Sequence, residues 1–499
     1  MTTIQQQQLE FDPTQAFREI PTTFAGTLRN PSHSKFTPRP RRTAVPATHK
    51  PRTVRVALAG CGVVGGGLVR LLHESAPAIA ARFGKRFELT SVLVRDPSRD
   101  RNLPLDPRLF TSDLSAFLSH DADVIIEAIG GHEPARTIAS AALRRGTKVI
   151  TANKELVASH GDRLSALARE HDASLDFGAA VGGSAPVIST LRDLVGASTP
   201  VSVRGILNGT SNYVISLLER GASLDAALAS ARELGLAESD CERDLDGRDA
   251  AAKLAIIAWI AFGIRPTDLR VRRTSLVPGL ERLVRFASVT GARVRFIAEC
   301  RRLPGQRVTA AVEPVIVSSD STFGRTVLEE NRVEVDLGWT SPLGVSGPGA
   351  GGAPTAAALL SDLLRDSQPP NDRGAGAARF LSVDDTCEHR WVIGAELDAA
   401  SLRRIGTERG FESECFASEP LAGAETDASA APDSVLVTAP ATWKSVQPLV
   451  AALATANGAP WIARYDGEAS IERAAFVDER TAFARERVAP TDEKVEVLQ

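Results

Sequence analysis

The chain has 499 residues, 43% of them hydrophobic and 24% charged, with a formal net charge of −3. It is long enough for about three domains, has an ordinary globular composition, and lacks the basic bias that nucleic-acid binding demands. Its five cysteines, Cys61, Cys241, Cys300, Cys387 and Cys415, have no CxxC or ligand-like spacing, which argues against a disulfide framework or a zinc site and predicts a reducing, cytoplasmic setting; no apolar run reaches ~18 residues and no apolar signal core opens the chain, so neither a membrane span nor a secretion signal is expected.

Residues 1–50 are rich in Gln, Pro, Thr and Arg without a sustained apolar period, and are expected to form a disordered extension. From residue 54 the pattern changes. Residues 54–59 read as a short buried strand ending in Gly60, with a helix following through residues 68–72. Further strands are predicted at 87–94, 124–129 and 148–150, with helical segments between them. Strands alternating with helices predict a parallel, doubly wound sheet over residues 51–164. Residues 165–365 mix helices (224–234, 249–262) with strands (201–207, 308–317), an α+β catalytic domain whose last part, 345–365, is expected to return to the first domain. Pro, Gly, Asp and Arg at 366–378 mark a linker. Over 379–470 the predicted order is strand 389–397, helix 399–410, strand 411–417, strand 434–438, helix 442–456 and strand 460–465. This βαββαβ order is that of a ferredoxin-like unit, which is expected to be separate and to serve association. A charged tail occupies 471–499.

Several motifs carry candidate chemistry. Gly60-Cys61-Gly62-Val63-Val64-Gly65 follows the first strand and opens a helix. Glycines at this spacing allow a tight turn and let the backbone approach a pyrophosphate at a helix N-terminus, the dinucleotide-binding fingerprint of a Rossmann domain. An ordinary glycine-rich turn is the alternative, and the strand–turn–helix setting favours the fingerprint. Arg95, just past the second strand, suits the extra phosphate of NADP, whereas an acidic residue there suits NAD; solvated loop arginines are the other reading. Gly130 and Gly131 end the next strand, where backbone can pass close to a nicotinamide ribose. Thr151-Ala152-Asn153-Lys154 follows the strand after that, at the sheet edge where ligands of such sheets bind. Its Lys154 can meet a cofactor or a carbonyl oxygen.

Asn208 and Thr210, in a polar turn after an apolar strand, can present amide and hydroxyl groups to a small polar substrate, although a helix cap accounts for them as well. Beyond Gly235 and Glu238 come Asp244, Asp249 and Lys253. Asp249 and Lys253 are four apart, hence on one helix face. On a solvated helix this is a routine ion pair, but Lys253 stands in the nearly apolar run Ala250-Ala-Ala-Lys-Leu-Ala-Ile-Ile-Ala-Trp259. An ammonium buried there and held by carboxylates can give a proton to a developing alkoxide, and the carboxylates can bind a substrate ammonium.

Taken together these segments resemble homoserine dehydrogenase. The resemblance covers roughly residues 54–364 and includes GCGVVG, EAIGGHEPA from Glu127, TANK from Thr151, AVGGSAP from Ala180, GILNGTSNY from Gly205, LAESD with DLDGRDAAAKLAI from Leu236, and GPGAGGAPTA from Gly347. It implies reversible conversion of L-aspartate 4-semialdehyde and NAD(P)H to L-homoserine, on the route to threonine and methionine. It also implies Lys253 as proton donor and acceptor, and Glu238 and Asp249 against the substrate with Gly235 beside it. Lys154 would lie near cofactor and substrate, and Gly351 would approach the cofactor. A monovalent cation is implied at the carbonyls of Val181, Gly183 and Ala185, where the family's usual acidic residue is replaced by Gly178. The expected partners are the small-molecule substrate and further copies of the chain, as a homodimer or homotetramer, with neither nucleic acid nor membrane. Two rival readings are a catalytically inactive dinucleotide-binding regulatory paralogue and another Rossmann oxidoreductase such as an aspartate-semialdehyde dehydrogenase. The latter needs a nucleophilic Cys, for which Cys241 and Cys300 have no recognisable setting. Many family members carry a C-terminal ACT regulatory module, whose shape the βαββαβ order has; this unit shows no DxxG loop after its first strand, the loop with which that module binds amino acids, and is expected to dimerise rather than sense threonine.

Overall fold

Val56, Ala57, Leu58 and Ala59 are fully buried at the end of β1 (Arg52–Ala59), as suits the centre of a sheet covered on both faces. The computed structural model describes residues 50–195, 198–236, 242–277, 279–365, 380–384, 386–411, 413–417, 434–455 and 460–466. The expected N-terminal extension to residue 49, the linker at 366–378, the charged tail and Glu238 therefore lie outside the described residues. Around β1 run β2 (Lys85–Leu93), β3 (Phe110–Thr111), β4 (Val124–Glu127), β5 (Lys148–Thr151) and β6 (Leu175–Asp176), parallel in the order β3-β2-β1-β4-β5-β6. This is the doubly wound order, whose direction switches between β1 and β4 and opens a ligand crevice at their carboxyl ends.

The sheet runs past the expected boundary at residue 164. That position falls inside the helix Lys154–Glu170, and β6 pairs with β5 beyond it. A strand of two residues is too short to show alternation in the sequence. Ala356, Leu359 and Leu363 of the helix Gly352–Leu364 share a core with Leu68 and Val69 of the helix Val63–Phe83. Lysines close the carbonyl end of the returning helix. Lys85 Nζ donates to the Leu364 carbonyl at 2.9 Å, and Lys148 Nζ to those of Asp362 and Arg365 at 2.9 and 3.0 Å.

The second sheet is built from β7 (Ser202–Ile206), β8 (Arg272–Arg273), β9 (Ala292–Leu303), β10 (Arg307–Ser318), β11 (Glu330–Asp336), β12 (Leu343–Pro348), β13 (Leu381–Ser382), β14 (Glu388–Ala395), β15 (Ser413–Ala417), β16 (Ser434–Thr438), β17 (Ala441–Thr442) and β18 (Trp461–Tyr465). Its main path is β12-β11-β7-β9-β10-β18-β14-β16-β15. The last four strands, with the helices Ala399–Glu408 and Trp443–Thr455, have the ferredoxin-like order, and Trp391, Ile393, Leu402 and Leu449 form their own small core. That unit is not detached from the catalytic sheet. β18 pairs in parallel with β10, Val315 with Arg464 and Ile316 with Tyr465, so one sheet runs through both. No helix among the described residues is long and apolar enough to cross a membrane.

A buried ion cluster sits at this seam. Arg464 of β18 reaches Glu299 of β9 at 2.7 Å and Glu313 of β10 at 3.2 Å, and these three residues are at most 5% exposed. Arg301 adds a 2.7 Å pair to Glu299, and Arg272 a 2.8 Å pair to Glu313. Asp466 takes both Arg464, at 3.0 Å, and Arg204 of β7. Burial alone would raise the Glu299 pKa, but Arg464, Arg204 and Arg301 together hold that carboxyl below the usual range. Removing one partner from such a cluster strands a buried charge, at about 3–5 kcal/mol. Arg464→Met should therefore lower stability by about 3 kcal/mol, the low end because Arg301 and Arg272 remain. Urea unfolding checks this, and a change below ~1 kcal/mol would show that the seam holds without the pair.

Candidate active site

Gly60 follows β1 with φ +93°, a conformation that favours glycine, and a Cβ there would lie 2.5 Å from the Ala128 carbonyl oxygen beyond β4. A Cβ at Gly65 would overlap the Gly60 carbonyl, whereas one at Gly62 would meet nothing within 4 Å. The turn is thus tight where it faces protein and open where it faces the crevice. No side chain caps the helix Val63–Phe83 at Gly62, so its first N–H groups remain available to phosphate oxygens. Val64 is half-buried behind the turn. Val63, 79% exposed, and Ile129, 38% exposed, leave an apolar rim beside it. The loop at Gly351 (φ +108°) closes in from the other side, since a Cβ at Gly352 would lie 2.6 Å from the Val63 side chain. The described residues therefore fit a dinucleotide.

Arg95 is exposed just beyond β2 and, like Arg99, has no side-chain hydrogen bond or ion pair among the described residues. Arg101 is engaged: it donates to the carbonyls of Asp96 and Arg99 and lies over the Phe110 ring. The Asp96 carboxylate is taken up by the Ser98 hydroxyl at 2.6 Å and N–H at 2.9 Å, which hold its pKa below the usual range. Gly130 (φ +85°) is exposed on the crevice side of β4. Thr151 is fully buried, and its hydroxyl turns inward to Glu127 at 2.5 Å.

The catalytic candidates meet where two helices begin side by side. Lys154 opens the helix Lys154–Glu170, capped by the Asn153 side chain, and Asp249 and Lys253 lie in the first turns of the helix Arg248–Phe262. Asp249 Oδ1 is 2.7 Å from Lys154 Nζ and its Oδ2 is 2.8 Å from Lys253 Nζ. Asn208 Nδ2 donates to Asp249 at 2.9 Å and to Asp244 at 2.8 Å, while its Oδ1 caps the helix Gly209–Leu218 at Ser211 N–H. Lys253 also donates to the Leu207 carbonyl at 2.7 Å. Burial works against the Asp249 carboxylate, yet the two lysines hold it well below the usual range. Burial likewise works against the Lys154 ammonium, and Asp249 more than offsets it, so its pKa is raised. Burial raises that of Asp244 against the Asn208 hydrogen bond. Lys253 is buried, with its side chain 10% exposed, while Lys154 is 39% exposed and faces the opening.

The other expected substrate residues frame this cluster. Thr210 is buried and donates to the Leu236 carbonyl at 2.7 Å, which ties the turn after Gly235 to the helix that follows Asn208. Gly235 is exposed at φ +67°, ending the helix Leu224–Glu233.

Val181 is fully buried, and Gly183 and Ala185 line a pocket of about 90 Å³ together with Gly178, Arg192 and Asp362. A Cβ at Gly178 would lie 2.8 and 2.9 Å from the two Asp362 carboxyl oxygens. The space of a side chain at 178 is therefore taken by an acid from the returning helix. Burial and the nearby Asp176 push the Asp362 carboxyl up to about 6 against Arg192 and Arg365, and its Oδ2 has no hydrogen-bond partner among the described residues. No three His, Cys, Asp or Glu side chains come together as metal ligands among the described residues. Asp362 and Glu127 were not singled out in the sequence, although each was a lone acid in an apolar run.

The comparisons agree with this geometry. The family model described as homoserine dehydrogenase matches residues 186–364, and that described as its NAD binding domain matches residues 60–177. The homoserine dehydrogenase of Mycobacterium leprae is 38% identical over 319 residues, spanning 63% of this chain and 72% of its own. That of Mycobacterium tuberculosis is 37% identical over 326 residues, spanning 64% and 73%. The crystal structure of a homoserine dehydrogenase from Thiobacillus denitrificans superimposes with a TM-score of 0.72 at 26% identity, over 83% of this chain and 98% of the other. The chain belongs to the homoserine dehydrogenase family.

Proposed function

We propose that Lys253, Lys154 and Asp249 carry the chemistry of a homoserine dehydrogenase, the reversible hydride transfer between NAD(P)H and L-aspartate 4-semialdehyde that gives L-homoserine. The observation that carries this assignment is the single carboxylate of Asp249 shared by two ammonium groups, one from each domain. The bound nicotinamide coenzyme supplies the hydride, or accepts it in the reverse direction. An ammonium has three N–H donors. Lys253 spends two, on Asp249 and on the Leu207 carbonyl, and the third is left for the substrate oxygen. As the carbonyl carbon gains hydride, Lys253 Nζ gives a proton to the oxygen, and it takes that proton back in oxidation. Lys154, the more exposed of the two, steadies the same oxygen from the coenzyme side. Asp244, with Glu238, takes the substrate ammonium; Asn208 holds Asp244, and Thr210 ties down the chain at Leu236. Gly235 gives backbone access beside the substrate.

For the coenzyme, the proposal assigns the pyrophosphate to Gly60, Gly62, Val63, Val64 and Gly65, and the nicotinamide side to Gly130, Lys154 and Gly351. Arg95 would meet the 2′-phosphate of NADP. A monovalent cation belongs to the carbonyls of Val181, Gly183 and Ala185, with Asp362 as the acid that stands where residue 178 has no side chain. The active species is proposed to be a homodimer or homotetramer, and its setting the cytoplasm.

Oxidation of homoserine with NADP and with NAD, followed at 340 nm, tests the reading directly. Lys253→Ala should lose ~10²–10⁴-fold in turnover with coenzyme affinity retained, because the proton relay and the phosphate turn lie in different domains. Wild-type turnover in that variant would remove Lys253 from the role. Arg95→Asp should move the ratio of kcat/KM values from NADP toward NAD, and an unmoved ratio would give the phosphate to another group. The raised pKa of Asp362 means that the fold favours its neutral acid. Stability from this group is thus complete below the ordinary carboxylate value of ~4 and declines as pH rises to about 6. Asp362→Asn should flatten that decline in melting curves taken between these pH values. Above pH ~6, potassium or sodium should raise the melting temperature of the parent and not of Asp362→Asn. An equal rise in both would place the ion elsewhere.

A further inference from the structure

Glu127 ends β4, is fully buried, and has no Lys or Arg paired with it among the described residues. Its side chain only accepts. Oε1 takes the N–H groups of Ile129 at 2.8 Å and Gly130 at 3.2 Å, and Oε2 takes the Thr151 hydroxyl at 2.5 Å. The Thr151 oxygen accepts in turn from the Asn153 N–H at 3.0 Å. Asn153 Nδ2 donates to the Gly131 carbonyl at 2.6 Å, and its Oδ1 accepts from Leu156 N–H at 3.0 Å to cap the next helix. These bonds close a ring. It passes from the loop after β4 through Glu127 and Thr151 to the loop after β5, and returns through Asn153.

Both loops border the crevice. Ala128 and Ile129 lie against the Gly60 turn, and Lys154, next in chain to Asn153, pairs with Asp249 at 2.7 Å. An apolar residue would end a buried strand at less desolvation cost than an acid. A carboxylate is retained where several donors must be held at fixed positions at once. We infer that Glu127 is a positioning residue that locks the two loops together, and so sets both the coenzyme-facing backbone at 129–131 and the place of Lys154. This inference rests on the roles proposed above for Lys154 and the coenzyme loops.

The test breaks the ring from each side. In Glu127→Gln the amide keeps one acceptor oxygen. If that oxygen serves the loop N–H groups, the amide NH₂ faces a hydroxyl that needs to donate. Thr151→Val deletes the same link at its other end, and Thr151→Ser restores the hydroxyl. NADPH affinity is read by fluorescence titration, homoserine kinetics by initial rates, and folding by thermal melting. Glu127→Gln and Thr151→Val should each weaken NADPH binding and lower kcat by about tenfold, the scale of one lost buried hydrogen bond. The double variant should be little worse than either alone, since both remove one link. Thr151→Ser should recover the NADPH affinity lost in Thr151→Val. If Glu127→Gln does not fold, Thr151→Val decides on the same link. Lower melting temperatures with NADPH affinity and kcat unchanged would overturn the positioning role and leave a purely structural one. The NADPH titration needs no turnover, so a parent enzyme inactive on homoserine would sink the functional reading while the comparison of affinities still judged the ring.

Discussion

Asp249 is one carboxylate answering two ammonium groups, and the site depends on it. Without that charge, the Lys154 ammonium would meet its burial cost with no carboxylate to offset it, and two like charges would face each other. With it, each lysine has a carboxylate oxygen of its own, at 2.7 and 2.8 Å. Asn208 adds a fixed amide to the same carboxylate and carries the restraint on to Asp244. The placement at a helix N-terminus helps, because the positive end of the helix dipole favours an acid in the first turn. Lys154 stands at the same kind of helix end, where a cation is disfavoured, and Asp249 offsets that as well.

For one carboxylate to reach two lysines from different domains, their helices must start in register. Packing supplies this. Phe177, just past β6, stacks on Trp259 at 5.5 Å and 9°, with the Arg192 guanidinium over its other face. Gly161 brings the two helices close, since a Cβ there would lie 3.0 Å from the Trp259 ring. Aromatic pairs of this kind contribute about 0.5–1.5 kcal/mol beyond the area they bury. The contact lies less than two turns along the helix from Lys253 and fixes that residue relative to the first sheet.

Much of this was legible in the residue order because it is local. The glycine turn, the i, i+4 pair of Asp249 and Lys253, and the βαββαβ order each declare themselves within a short window. What was not legible depends on partners remote in the chain. Nothing near Lys154 announces Asp249, and nothing near Gly178 announces that Asp362 fills its space. Thr151 read as a ligand contact because it sits at a strand end facing a crevice. Its hydroxyl turned inward because Glu127, one strand over, needed a donor. The C-terminal unit read as separate because a strand pattern shows alternation but not the identity of the neighbour. Arg464 in β18 was the available hint, since a charged residue midway along an apolar strand requires buried acids opposite it.

The seam between β10 and β18 also has a bearing on synthesis. β10 is made well before β18, so its pairing at Val315 and Ile316 is complete only when Tyr465 has been added. Until then the part of β10 at Val315 and Ile316 lacks that partner, and Glu299 and Glu313 lack one of the arginines that compensate them. Pairings between such remote segments form slowly, and exposed strand edges invite pairing with other chains. The sheet that runs through both parts is therefore completed only once residues 461–465 have been made.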